Sequence, residues 1–381
     1  MKKLKQSKKS LLAAMLAVGV PIVMVGSAQA AGILSNGTIA IGVQDSGALN
    51  VPHAGASVYG PAFDLSETGT VSGTGVRGIF LNDSDGDGQF GGYESTYPGC
   101  LCEGWGVAVA SLGITGYDGN GSSNLSGGTG TFGTDGSGYG IATTVRTIAD
   151  SSGNPVLRVT HDFRPSASEY LYQVDVTIEN ISGVDLGSGS TDLRYTRLMD
   201  WDTEPTAFSE YVTIERGGAT NLLTTSDDGF EPADPLFSTT SIASCAPVGA
   251  SFVDCGPRDH GARFDFGFPA LLGMDDPATT GDDTMRSFTI FYGAAPDEAT
   301  ADAARAIVGA GVYSYGQCNS ALDPTCSQAT GTPLTYIFAF ESTGVGAPPP
   351  PTGGVPEPSS LLLMALGLGV FTGRRWKPQT I

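Results

Sequence analysis

Between Ala31 and Pro358 the chain contains no lysine. Five of its 19 basic residues fall in the first thirty positions and three follow Pro358, which leaves eleven, all arginine. All 39 acidic residues lie in that same stretch, giving it a formal charge of −28. A surface of that sign repels phosphate backbones and anionic headgroups, which argues against nucleic acid as a partner and favours multivalent cations. Histidine is scarce too. His53, His161 and His260 are isolated and without ligand spacing, so zinc is the weakest reading of any metal chemistry. There is no G-x-S-x-G, no H-E-x-x-H and no P-loop. Two G-x-G-x-x-G matches, at 73–78 and 128–133, do not open a helix within a βαβ unit, and 55 glycines make accidental matches expected.

Long apolar runs are missing from the body and occur only at the two ends. Lys2, Lys3, Lys5, Lys8 and Lys9 precede an apolar run over 11–25, and Ala28-Gln29-Ala30 supplies a small-x-small cleavage pattern. This order reads as a signal peptide over 1–30, removed by signal peptidase. The run is short for a membrane span and contains Pro21. Near the other end, four consecutive prolines at 348–351 and Gly353-Gly354 mark a linker over 343–355, extended and then flexible. The exported domain is therefore bounded as 31–342, enough for one large all-β domain or two smaller ones.

Within it, short β-branched and aromatic runs alternate with Gly, Asn, Asp and Ser clusters, the spacing of an antiparallel β-sandwich. The clearest strand is 170–178, where Tyr170, Tyr172, Val174, Val176 and Ile178 alternate with polar neighbours. Further strands are expected at 39–44, 107–115, 141–148, 156–162, 193–201, 211–215, 262–268, 287–292 and 335–341. One segment breaks the pattern. Pro296, Asp297 and Glu298 ahead of an alanine-rich stretch that closes at Gly309 predict one short helix near 296–308.

The six cysteines, Cys100, Cys102, Cys245, Cys255, Cys318 and Cys326, all lie in the exported part, where an even count reads as disulfides. Cys245 with Cys255 and Cys318 with Cys326 are natural local pairs, leaving Cys100 to Cys102. Six cysteines allow fifteen connectivities, so the pairing stays open.

Two acidic clusters could carry chemistry. Asp83, Asp85 and Asp87, the Gln89 carbonyl and Glu94 fit the twelve-position calcium loop, with Gly88 at the sharp turn. Hard oxygen donors favour Ca2+ over a transition metal. The flanks are not those of an EF-hand, so the ion would be structural; the alternative is a plain acidic turn. The second cluster is Asp200, Asp202 and Glu204. In an extended chain these three share one face while Trp201 turns to the other. They would hold a metal or pair with Arg194 and Arg197; a glycosidase-like pair of carboxylates is the less favoured reading. Trp105 could stack on a sugar or pack in a sandwich core.

The last twenty-seven residues set Pro356-Glu357-Pro358, an apolar run over 359–373 and the basic pair Arg374-Arg375 in fixed order. This tail resembles the PEP-CTERM sorting signal of exported bacterial proteins, here 356–381. The resemblance implies a Gram-negative envelope protein processed near the Pro-Glu-Pro by an exosortase, in bacteria that often make extracellular polysaccharide. As a helix, 359–373 would span about 22 Å, less than the ~30 Å hydrocarbon core. Arg374, Arg375 and Lys377 would stay cytoplasmic. That makes the segment a transient inner-membrane handle. Segments 100–106, 172–180 and 194–214 look like uncharacterised PEP-CTERM proteins, which implies no activity and transfers no catalytic residue. The expected role is non-enzymatic, structural or adhesive, and linked to exopolysaccharide or biofilm. The alternative is a carbohydrate-binding module or carbohydrate-active enzyme using Trp105, Trp201 and nearby acids.

Overall fold

A computed structural model describes residues 31–67, 71–80, 91–100, 103–119, 122–274, 283–326 and 333–341. The signal segment 1–30, the loop residues Asp83, Asp85, Asp87 and Gln89, Cys102, the 343–355 linker and the whole sorting segment with Pro356, Glu357, Pro358, Arg374 and Arg375 lie outside the described residues.

Two antiparallel sheets face each other. One has six strands in the order Ser122–Ser123, Ile114–Gly119, Glu103–Val109, Leu193–Trp201, His260–Phe268, Leu222–Ser226. The other has nine, in the order Ser126–Thr134, Gly140–Ala149, Pro155–Pro165, Leu171–Asn180, Met285–Ala295, Thr335–Glu341, Ala310–Gln317, Glu210–Glu215, Phe252–Arg258. A smaller five-stranded sheet packs beside them and contains the one parallel pair among the described residues, Ala31–Ser35 with Ser57–Tyr59. The protein is an all-β sandwich.

Alternation explains which face is buried. On Leu171–Asn180, Tyr172, Val174, Val176 and Ile178 are wholly buried, while Gln173, Thr177 and Glu179 keep partial access to solvent. Across the gap, Trp105 meets His161 with ring centroids 4.6 Å apart, Tyr195 meets Phe288 at 4.8 Å, and Phe264 meets Phe338 at 5.3 Å. A single contiguous cluster of buried apolar side chains draws on these three sheets. The helix forms at Glu298–Val308. Asp297 caps it by accepting from the Thr300 N–H at 2.7 Å, and Gly309 ends it in the left-handed region at φ 68°. Its Ala301 and Ala304 seal Leu171, Phe291 and Ile337 on the outer face of the nine-stranded sheet.

One expected strand is corrected. Residues 107–115 are not one strand but the end of Glu103–Val109, a 3-10 turn at Ala110–Leu112 and the start of Ile114–Gly119. Gly113 (φ 62°) turns the chain back so that these two strands pair antiparallel. Two disulfides have both ends among the described residues, Cys245–Cys255 and Cys318–Cys326, with Cα separations of 5.6 and 5.9 Å; Cys100 is disulfide-bonded as well.

Candidate metal centre

The strand Leu193–Trp201 runs through the middle of the six-stranded sheet with both edges paired, and all of its residues but Arg194 are buried. Tyr195, Arg197 and Trp201 point into the sandwich. Trp201 donates from Nε1 to Ser314 Oγ at 2.9 Å, and Arg197 pairs with Glu103. Thr196 lies on the other face, bonded to Asp265 at 2.5 Å. That face is roofed by the connection after Leu222–Ser226, which Arg263 pins by donating to Glu231 Oε2 and to the Pro232 and Asp234 carbonyls. Asp200 and Asp202 continue this second face at the strand's end.

Both carboxylates are almost completely buried, Asp200 at 1 % exposure and Asp202 at 0 %. An oxygen from each lies within 4.8 Å of the other and of Cys100 Sγ. Cys100 is itself disulfide-bonded, so its sulfur, 3.6 Å from Asp200 Oδ2, is a wall of the site rather than a thiolate ligand. Two more carboxylates from elsewhere in the chain lie outside that 4.8 Å cluster but within electrostatic reach of it. Glu210, at 0 % exposure, opens a strand of the nine-stranded sheet. Asp259, half-buried, is the single residue between Phe252–Arg258 in that sheet and His260–Phe268 in the other. The four thus gather at a corner where the chain crosses twice between the sheets.

No arginine, lysine or histidine among the described residues forms an ion pair with any of the four. Glu210 Oε1 accepts from the His260 N–H at 3.0 Å. Asp200 Oδ1, both oxygens of Asp202, Glu210 Oε2 and Asp259 Oδ1 are buried without a hydrogen-bond partner. Burial, with Asp259 and Asp228 nearby, pushes Asp200 up to about 8. Burial together with Asp200, Glu210 and Asp259 pushes Asp202 up to about 10. Burial and the repulsion of Asp200 and Asp259 lift Glu210 to about 9, against the His260 hydrogen bond.

Several expectations about these residues change. Arg194 and Arg197 do not neutralise Asp200 or Asp202; Arg197 faces the opposite side of its strand and is taken by Glu103. Glu204 does not join the other two acids. The strand ends at Trp201, and Glu204 turns towards Glu94, accepting from the Glu94 N–H at 2.9 Å, close to the buried Arg77. Glu94, the proposed last ligand of the calcium loop, faces inward: its Oε1 accepts from Gly75 N–H and its Oε2 from Thr96 and Tyr97 N–H, each at 2.6 Å. Those oxygens already serve three backbone donors.

Trp105 and Trp201 are wholly buried, so neither offers a face to a sugar. Trp105 packs on His161 and Tyr195 instead, because it projects into the gap between the two sheets. Asp200 and Asp202 face each other inside the fold rather than across an open cleft. Glu210 and Asp259 carried no sequence signal for this site: each belongs to another strand or crossing, brought here only by tertiary structure.

Among the described residues no helix is long and apolar enough to cross a membrane. A family model for the PEP-CTERM protein-sorting motif matches residues 354–375. The chain therefore carries a PEP-CTERM sorting signal, which directs exosortase-dependent export to the cell envelope or surface. No curated protein and no solved structure matches the chain.

Proposed function

We propose that this is a non-enzymatic structural or adhesive protein of a Gram-negative cell envelope or extracellular matrix, working alongside exopolysaccharide. The observation that carries this reading is the sorting signal at 354–375, set behind a proline-rich stalk. Signal peptidase removes the N-terminal segment, the C-terminal apolar run holds the protein briefly in the inner membrane, and exosortase releases it near Pro356-Glu357-Pro358. The body suits a life outside the cell. It is a cross-braced sandwich closed by local disulfides, and its acidic surface keeps it soluble and attracts divalent cations.

The test is a strain lacking its exosortase, compared with wild type by fractionation and by mass spectrometry of the C-terminus. The expected result is a mature form ending near Pro358 in the matrix of the wild type, and an uncut, membrane-held form in the mutant. A mature matrix protein ending at Ile381 would overturn the route. A deletion strain with unaltered matrix mass and cohesion would overturn the structural role.

A further inference from the structure

We infer that Asp200, Asp202, Glu210 and Asp259 form a Ca2+ site that staples the two sheets together at the corner where the chain crosses between them. The inference does not depend on how the protein is delivered. Its first support is placement: Asp200 and Asp202 bring oxygens within 4.8 Å of each other, and Glu210 and Asp259 adjoin them through the Trp201–His260 pairing and the His260 N–H bond to Glu210. Two carboxylates come from the end of Leu193–Trp201 in the six-stranded sheet, one from the first residue of Glu210–Glu215 in the nine-stranded sheet, and one from the one-residue crossing at position 259.

The second support is independent of the acidic count. Asp202 is wholly buried, and neither of its oxygens accepts a hydrogen bond; Glu210 Oε2 and Asp200 Oδ1 are buried and unpartnered as well. Elsewhere in this protein buried carboxylates are served: Glu94 by three backbone N–H groups, Glu103 by Arg197, Tyr292 and the Leu49 N–H, Asp227 by the Ile242 and Ala243 N–H groups. Burying carboxylates with neither donors nor a counter-charge is strongly unfavourable, so the corner calls for a cation. Close packing at the backbone supports this. A Cβ on Gly99 would stand 2.7 Å from the Phe208 ring and 3.4 Å from Asp202 Oδ2, and one on Gly261 would stand 2.0 Å from the Met199 carbonyl.

The donor set selects the ion. All donors are hard oxygens, and the one sulfur nearby is locked in a disulfide, which disfavours zinc and copper. Ca2+ accepts six to eight oxygens in irregular arrangements, whereas Mg2+ demands a near-ideal octahedron and keeps its waters. Four carboxylates spread over three parts of the chain suit the former. Asp259, the half-buried member, marks the side from which the ion exchanges with solvent.

The exported protein, purified from the envelope and stripped with EGTA, is titrated with CaCl2 alone while its thermal midpoint and binding heat are read. Ca2+ is expected to raise the midpoint with a saturating binding heat. Asp202→Asn is expected to weaken the affinity about tenfold or more. In EGTA, Asp202→Asn should melt no lower than wild type, since the amide brings donors to neighbouring oxygens that have none; a carboxylate that merely braces the fold would lower the midpoint there. If Asp202→Asn does not fold, Asp259→Asn at the rim provides the same affinity test. Wild-type affinity in these variants, or no Ca2+ response in the wild type, would overturn the site.

Discussion

Arg197 and Glu103 form an ion pair sealed inside the sandwich, Nε to Oε1 at 2.5 Å, with both side chains at 0 % exposure. Neighbouring strands of one sheet supply them, and groups from two further elements complete the network. Glu103 Oε2 accepts from the Leu49 N–H at 2.6 Å and Oε1 from Tyr292 OH at 3.2 Å, while Arg197 Nη2 donates to the Gly47 carbonyl at 3.0 Å. Breaking such a pair leaves one charge buried alone. Arg197→Met is therefore expected to cost about 3–5 kcal/mol in urea unfolding. The double variant Arg197→Met, Glu103→Leu should recover part of that, held back by about 1–3 kcal/mol for the Leu49 N–H left without an acceptor. A double variant no better than Arg197→Met alone would refute the pairing argument.

Two further buried arginines stand in surroundings that lysine would not satisfy. Arg77, at 0 % exposure, donates to the Gly73, Gly91 and Gly92 carbonyls and to Thr74 Oγ1. Arg263 spreads its donors over Asp265, Glu231 and two carbonyls. A planar fork of five donors can satisfy such surroundings, and an ammonium with three cannot.

Stability should also depend on two histidines. Burial, aided by the charge of Arg77, lowers His53 to about 4, and its Nε2 lies 2.9 Å from Thr74 Oγ1. Burial likewise holds His161, bonded to Tyr195 OH, well below the usual imidazole value. Between pH 6.5 and 4 the unfolded chain binds a proton at position 53 that the folded chain refuses, so stability falls as pH falls through that window. Because His53 is only half-buried, its share is discounted to about 1–3 kcal/mol. His53→Gln should flatten the slope between pH 6.5 and 4, leaving the part due to His161. An NMR titration placing His53 near 6.5 would contradict the expectation.

How much of this was legible depended on periodicity. The strands Ile39–Gln44, Leu193–Trp201 and Thr335–Glu341 fall at the bounds expected from their apolar runs. Ser126–Thr134 is a strand built from Ser, Gly and Thr with one Phe, which carries no alternation to read. Phe252–Arg258 is an exposed edge strand with a proline in it, stabilised by pairing with Glu210–Glu215 rather than by its own composition. At the carboxylate corner, Asp200 and Asp202 were visible as neighbours on one face. Glu210 and Asp259 were not, since no local pattern records which distant crossings meet.

Gly316 and Gly133 separate a packing requirement from a mere absence of side chain. A Cβ on Gly316 would sit 2.4 Å from the Trp201 indole, which is wholly buried and fixed by Ser314. Gly316→Ala is expected to cost about 1–3 kcal/mol through overpacking. A Cβ on Gly133 meets nothing within 4 Å. Gly133→Ala should stabilise by about 0.4–1 kcal/mol by restricting the unfolded chain. Chemical denaturation of both variants side by side checks the pair; equal effects would mean that contact with Trp201 does not decide the outcome.

The helix Glu298–Val308 gives a local test with a defined pH sign. Asp297 caps it through the Thr300 N–H, and hydrogen bonds from Thr300 hold the Asp297 carboxyl below its ordinary value. A depressed carboxyl contributes stability that is fully present above its unfolded pKa near 3.9 and is lost as pH falls through the lower folded value. Asp297→Ala is expected to cost about 1 kcal/mol at neutral pH, and the difference from wild type should shrink as the pH drops below about 4. Hydrogen exchange at Thr300 and Ala301 reads the cap directly, because their N–H groups bond to Asp297, Thr300 to the side chain and Ala301 to the carbonyl. In Asp297→Ala the Thr300 N–H should exchange much faster, while the Ala301 N–H stays nearly as protected as in wild type. A pH-independent difference, or unchanged exchange at Thr300, would show that the helix is held by Ala301 and Ala304 against the sheet and not by its cap.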